Sequence, residues 1–220
     1  KVQHNDGKLN ADRFTSNLSN ILLLLSTIIV VFVLIFTQSV VKLFASGFSG
    51  ETLGLAVRFT RITVFGVYFT AVLNVFSGYL RVHEHYLAPV FISLPMNLVI
   101  IASLFLSAET HVYVIAFGSL LAIASQLLFL IPFLRKAGYQ YRLVVDWKDK
   151  YLRDMFLVAL PVIIGTSVNE VNVLVDRTLA SRIAVGGISA LNYARRLNGF
   201  VQGLVAASLV SVMFPMISKM

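Results

Sequence analysis

From Phe14 to Val41, 28 consecutive residues contain no Asp, Glu, Lys or Arg. No other feature constrains the fold as much. Crossing a bilayer as a helix takes roughly 17–25 apolar residues, and Ile21–Phe36 is an unbroken Leu/Ile/Val-rich run inside this stretch. Further uncharged stretches cover Ile62–Leu80, His85–Ala108, Thr110–Leu134, Met155–Asn169 and Leu197–Ser218. Charged residues are only 13% of the 220, and hydrophobic residues are 58%. A soluble domain carries about 25% charge, so this composition excludes an ordinary soluble enzyme, a disordered chain and a disulfide scaffold. There is no cysteine, which removes thiolate catalysis, disulfide redox chemistry and Cys-ligated zinc. The net charge of +8 reads as membrane-flanking Lys/Arg rather than as a nucleic-acid surface.

The pattern predicts an all-α, polytopic helical membrane bundle with six membrane segments. These are Phe14–Phe44, Leu53–Leu80, Leu87–Leu106, Val112–Leu134, Met155–Arg182 and Ser189–Met220. A barrel is excluded because barrel strands alternate in polarity and Ile21–Phe36 does not. Pro95 should bend the third segment by removing a backbone hydrogen bond. Ser189 is a candidate N-cap for the sixth, and Pro215 is expected to bend or end it. Ala45–Gly50 reads as a turn, and Glu109-Thr110-His111 as a very tight connection.

Between the fourth and fifth segments the composition shifts. Arg135–Asp154 holds six Lys/Arg and three Asp, with Tyr139, Tyr141, Trp147 and Tyr151 interleaved. This is the signature of a loop at the headgroup level. It divides the chain into four helices at 1–134, a basic and aromatic linker at 135–154, and two helices at 155–220. Counted on alternate sides, eleven Lys/Arg lie with the linker and both chain ends, and five on the other side. That asymmetry places the linker and both ends in the cytoplasm. The chain begins with Lys1 and a polar stretch to Arg13 that lacks signal-peptide form, so it is expected to be part of a larger protein.

No catalytic constellation is present. His4, His83, His85 and His111 are scattered over loops, and His83-x-His85 between helices is a poor metal pair. The informative residues are charges inside apolar helices, which are costly and therefore usually face a partner or a cavity. Arg58 and Arg61 lie near the start of the second segment. Glu170, Asp176, Arg177 and Arg182 lie along the fifth. Glu170 and Arg177 share a helix face, as do Asn169, Asn172 and Asp176. The Asn-Asn-Asp stripe offers oxygen ligands for a hard cation such as Na⁺, or an acceptor for a proton; interhelical hydrogen bonding with an Asp–Arg pair is the plainer alternative. In the sixth segment Asn192, Arg195, Arg196, Asn198, Gly199 and Gln202 make one side polar. Arginines on such a face suit a phosphate, whose oxygens match the guanidinium fork. The competing reading is that both arginines snorkel to the interface.

The run Val168–Ser181, followed by Gly187–Leu197 with Asn192-Tyr193-Ala194-Arg195-Arg196, closely resembles the seventh and eighth helices of the MurJ/MviN lipid II flippases. These belong to the multidrug/oligosaccharidyl-lipid/polysaccharide exporter superfamily. The ending Val212–Lys219 is similar too. Ala45–Phe48, Phe59–Ile62 and Ala88–Asn97 are similar to the third to fifth helices. The resemblance implies a fourteen-helix, two-lobe fold of which this chain holds helices three to eight. It implies alternating-access transfer of lipid II, an undecaprenyl-diphosphate-linked precursor, across the bacterial inner membrane. It places Arg196 at the family's diphosphate-binding arginine of helix eight, with Arg195 and Asn192 beside it. It places Asp176 at a position some members use for a cation, with Na⁺ or proton coupling implied and no organic cofactor. The partners implied are the lipid-linked precursor, membrane lipid and the remaining helices of the whole protein. Other readings stay open: a polysaccharide-unit flippase, a cation-coupled drug exporter, or a truncated membrane protein that transports nothing.

Overall fold

The computed structural model describes residues 7–109, 111–183 and 186–217, with the backbone alone for residues 109, 204 and 206–217. Among the described residues there are nine helices and no strands. They are α1 (Lys8–Ile35), α2 (Thr37–Phe44), α3 (Gly50–Thr63), α4 (Gly66–Val82), α5 (Leu87–Phe91), α6 (Ser93–Glu109), α7 (Tyr113–Lys136), α8 (Lys150–Ile183) and α9 (Gly187–Ile217). Four spans are long and apolar enough to cross a membrane: α1, Leu87–Ala108, α7 and α8. The pair α3 and α4, bent by 43°, makes a fifth if taken together. The bundle is therefore a membrane protein in which large apolar side chains such as Ile28, Leu98, Phe105 and Leu128 face outward, where lipid rather than water meets them.

Three expected segments are broken. The first divides at Phe36. The Thr37 hydroxyl donates to the Val33 and Leu34 carbonyls at 2.8 and 3.0 Å, competing with the backbone for the same acceptors. The second divides at Val64–Phe65, where Thr60 and Thr63 hydroxyls likewise bond the Ala56 and Phe59 carbonyls. The joint continues with i→i+3 bonds from Val67 to Val64 and from Tyr68 to Phe65. The third divides at Ile92, between α5 and α6. Pro95 causes this one: it cannot donate to the Phe91 carbonyl, and its ring crowds that oxygen.

Other boundaries also differ from expectation. α8 starts at Lys150, five residues before Met155, because Asp149 accepts from the Tyr151 and Leu152 amides at 2.8 and 3.4 Å. α9 starts at Gly187, preceded by Gly186 at φ 83°, so Ser189 lies inside the helix and is not its N-cap. α9 also continues through Pro215 to Ile217. Thr110 of the tight connection, Lys1–Asp6, and the end from Ser218 to Met220 lie outside the described residues.

The densest packing joins α6 to α7, then α4 to α1 and to α7. The apolar core gathers Leu73, Leu80, Ala88, Leu130 and Leu134 where α4, α5 and α7 end together. Gly118 lets α7 approach α6: a Cβ there would lie 2.0 Å from Ser103 Oγ and 2.3 Å from its Cβ. Gly118→Ala should therefore cost about 1–3 kcal/mol by overpacking. Thermal unfolding in detergent should show a lowered Tm for Gly118→Ala, largely restored in the Gly118→Ala/Ser103→Gly double variant. An unrestored double variant would mean that Ser103 is not what Gly118 accommodates.

The linker is not a free loop. α7 ends in a Schellman turn, with Gly138 at φ 72° and Tyr139 N donating to the Leu134 carbonyl at 3.1 Å. Residues 139–146 then run along the first turns of α1, whose polar side chains hold their backbone. Asn17 makes a reciprocal pair with Asp146, donating to its carbonyl at 2.9 Å and accepting from its amide at 2.7 Å. Asn20 donates to the Val144 and Arg142 carbonyls at 2.9 and 3.2 Å and accepts from the Tyr141 hydroxyl at 2.6 Å. Asp12, 1% exposed, accepts from the Tyr79 hydroxyl at 2.6 Å and from the Gln140 amide at 3.3 Å. Ser16 accepts from the Arg142 amide and bonds the Tyr139 hydroxyl. Burial pushes the Tyr139 phenol above its ordinary range, against the opposing pull of Ser16.

Candidate functional site

α8 ends at Ile183 and α9 starts at Gly187, and the two helices pack against each other as a hairpin. Position 176 lies seven residues before the end of α8 and position 195 eight after the start of α9, and the structure joins them: Arg195 Nη2 donates to Asp176 Oδ2 in an ion pair. Both side chains are partly exposed, at 35% and 41%. From Gly187 the arginines lie eight and nine residues into α9, roughly 13 Å at 1.5 Å per residue. That is deeper than a start at Ser189 implies, and it weakens the snorkelling alternative.

The pair changes the chemistry expected of both residues. Asp176 is engaged by a guanidinium, and Arg195 is neutralised. Asn172 and Asn169 are exposed on α8, one and two turns before Asp176. Among the described residues no three His, Cys, Asp or Glu side chains gather as metal ligands. His83 stacks on Tyr79 and its Nδ1 faces the Tyr79 carbonyl at 2.9 Å, which is a packing role rather than a ligand role.

Arg196 is exposed and, among the described residues, has no ion-pair partner. It lies about 100° around α9 from Arg195, with Asn192 one turn before it and partly buried. α9 therefore presents one neutralised and one uncompensated guanidinium. Arg177 differs again: its Nε is shielded from solvent with no hydrogen-bond partner among the described residues. Arg58 is taken by the Tyr113 hydroxyl at 2.8 Å, and Arg61 reaches Thr37 Oγ1 at 3.5 Å.

Sequence reasoning missed the contacts that tie this hairpin to the first four segments. Thr178 Oγ1 donates to the Leu43 carbonyl at 3.0 Å, Ser181 Oγ accepts from the Gly47 amide at 3.0 Å, and Arg182 Nε donates to Ser46 Oγ at 2.7 Å. Gly47 is required here, since a Cβ would lie 2.1 Å from the Ser181 carbonyl oxygen. The signal was the Ala45–Gly50 turn cluster, which marks a close backbone approach but not its partner. Between this contact and Leu152 at its other end, α8 is mostly exposed.

These features define a class: a polytopic α-helical membrane protein with charged and amide side chains spaced along a long hairpin. The family model described as lipid II flippase MurJ matches residues 2–220, and the chain belongs to that family. It is similar to the probable lipid II flippase MurJ of Buchnera aphidicola subsp. Baizongia pistaciae, 25% identical over 217 residues, covering 94% of this chain and 41% of the relative. With the probable lipid II flippase MurJ of Vibrio cholerae it shares 36% identity over 105 residues, 48% of this chain and 20% of the relative. A solved structure, lipid II flippase MurJ in an inward closed conformation, superposes with a TM-score of 0.78 at 25% identity, over 94% of this chain and 44% of that one. The chain spans about two fifths of the length of the relative it matches end to end.

Proposed function

We propose that the intact protein moves lipid II across the bacterial inner membrane by alternating access, with Arg196 as a ligand for the diphosphate. This chain supplies six of fourteen helices: four of the first lobe at 1–134, the cytoplasmic linker at 135–154, and the first two of the second lobe at 155–220. The observation that carries the reading is the asymmetry of α9, in which Asp176 compensates Arg195 and no described acid compensates Arg196. A cation at that depth in an apolar bundle calls for an anion, and a guanidinium matches phosphate oxygens in two-pronged fashion. Asn192, a turn away, adds a neutral donor to the same face. Transfer of a lipid-linked diphosphate needs binding and reorientation, not bond cleavage, so the role is that of a transporter.

The contact of Thr178, Ser181 and Arg182 with residues 43–47 acts in this reading as the outer closure. Its bonds join the two halves, so they must part for the cavity to open outward. Gly47→Val cannot make the approach to Ser181, and it should hold the intact protein open on that side. In intact cells, an impermeant maleimide should then label a cysteine placed at position 192 faster than in the Gly47 protein. Equal labelling would show that the contact is not a gate. The function itself is tested by growth and lipid II translocation in flippase-depleted cells that express the intact protein: failure to support either would refute the reading.

A further inference from the structure

The linker's backbone is turned towards α1, which leaves a second face of 140–147 unaccounted for. Leu143, Val145 and Trp147 lie on it and are all exposed, Leu143 to 87%, whereas Tyr141, also exposed, turns its hydroxyl to Asn20. The segment is neither helix nor strand. Its path relative to α1 can be traced residue by residue. Tyr139 meets Ser16, residues 142 and 144 meet Asn20, and Asp146 returns to Asn17. Asn20 lies three to four residues further along α1 than Asn17 and Ser16, or roughly 4.5–6 Å. The segment therefore dips and comes back. Its turning point is a tight three-residue turn around Leu143, closed by Val144 N to the Arg142 carbonyl at 3.0 Å. The dip reaches Asn20, the residue immediately before the apolar run Ile21–Phe36 that spans the membrane.

The charges around the dip are sorted. Arg135, Lys136, Arg142, Lys148, Lys150 and Arg153 are exposed. The interleaved acids are less so, and two are turned inward to backbone amides: Asp146 accepts from Lys148 N at 2.9 Å, and Asp149 caps α8. The surface is thus an apolar tip ringed by cations, fixed in shape by buried amides.

We propose that residues 140–147 form a wedge that inserts into one leaflet beside the bundle, with Leu143 at the headgroup–acyl boundary, and that its cationic rim selects anionic phospholipid. Aromatic side chains suit this depth, and exposed Lys and Arg are attracted to an anionic leaflet over about a Debye length. Because α1 holds the backbone by six or more hydrogen bonds, the wedge is preformed and ties the linker's depth to that of the first lobe. The inference does not depend on what the protein transports.

The test uses the intact protein in a cysteine-free background, with single nitroxide-labelled cysteines at 143 and 148, in vesicles of phosphatidylcholine alone or with one third phosphatidylglycerol. The label at 143 should collide with oxygen severalfold more than with a water-soluble nickel chelate, and the label at 148 should show the reverse. Phosphatidylglycerol should bury the 143 label deeper, and the Arg142→Glu/Lys148→Glu variant, which leaves the α1 contacts intact, should abolish that dependence. A 143 label as open to nickel as that at 148 would place the tip in water and overturn the proposal. A label shielded from both reagents would show that protein, not lipid, covers the tip, and would overturn it equally. A deepening that is the same with and without phosphatidylglycerol would overturn the anionic selectivity.

Discussion

Asp12→Ala is expected to destabilise the intact protein by about 3 kcal/mol, because it strands a buried hydroxyl and a backbone amide at once. Asp12 is 1% exposed and holds the Tyr79 hydroxyl and the Gln140 amide, one from α4 and one from the linker. No other side chain in the described structure joins three parts of the chain through buried polar atoms in this way. Asp12→Asn keeps an acceptor for Tyr79 and should lose much less. Asn17→Ala removes both bonds to Asp146 and should fall between them, at about 1–3 kcal/mol. Thermal unfolding in detergent, monitored by circular dichroism, should rank the melting temperatures Asp12→Asn above Asn17→Ala above Asp12→Ala. An unchanged melting temperature for Asp12→Ala would mean that the linker is not held as described.

The second large effect concerns activity. Arg196→Ala should abolish flipping while leaving the protein in the membrane, since an unpaired cation in an apolar bundle contributes nothing to the fold that its removal would forfeit. Arg196→Lys should retain part of the activity, because lysine keeps the charge but not the two-pronged hydrogen bonding. Arg195→Ala should do less. Its partner Asp176 is 41% exposed and Arg195 35%, so water can take over from the guanidinium and the pair is worth at most about 1 kcal/mol. If Arg195→Ala and Arg196→Ala prove equally inactive, the asymmetry between them has no functional meaning.

Much of this architecture could be read from where charges are missing. The uncharged runs located α1, α6, α7 and α8, and Pro95 located the break before α6, since a missing donor leaves a mark in the sequence. The breaks at Phe36 and Val64–Phe65 left no such mark. Threonine hydroxyls bond back to carbonyls at both, but Thr27 does the same to Leu23 within α1 without a break, so residue type alone does not locate them. Ser189 fits an N-cap by residue type alone, whereas the positive φ of Gly186 settles the start of α9.

The site was legible to the level of residue types and not of pairs. Spacing put Asp176 and Arg195 on polar faces of two helices, yet the identity of the partner depends on the length of the turn between them. The buried face of α1 was missed for a different reason. Asp12, Ser16 and Asn20 recur every four residues, which is a helical stripe. In a charge-free run, however, the stripe falls at the polar edge of a membrane segment. Its partner is the backbone of a linker 120 or more residues away, and main-chain acceptors carry no sequence signal.

In the proposed function an uncompensated arginine on α9 meets the diphosphate of a lipid-linked precursor. The most direct measurement is the rate at which lipid II becomes accessible on the outer face of cells depleted of their own flippase and supplied with the intact protein or its variants at equal membrane abundance. Translocation is expected with the unsubstituted protein, reduced translocation with Arg196→Lys, and none above the depleted background with Arg196→Ala. Translocation by Arg196→Ala at the unsubstituted rate would contradict the proposed contact.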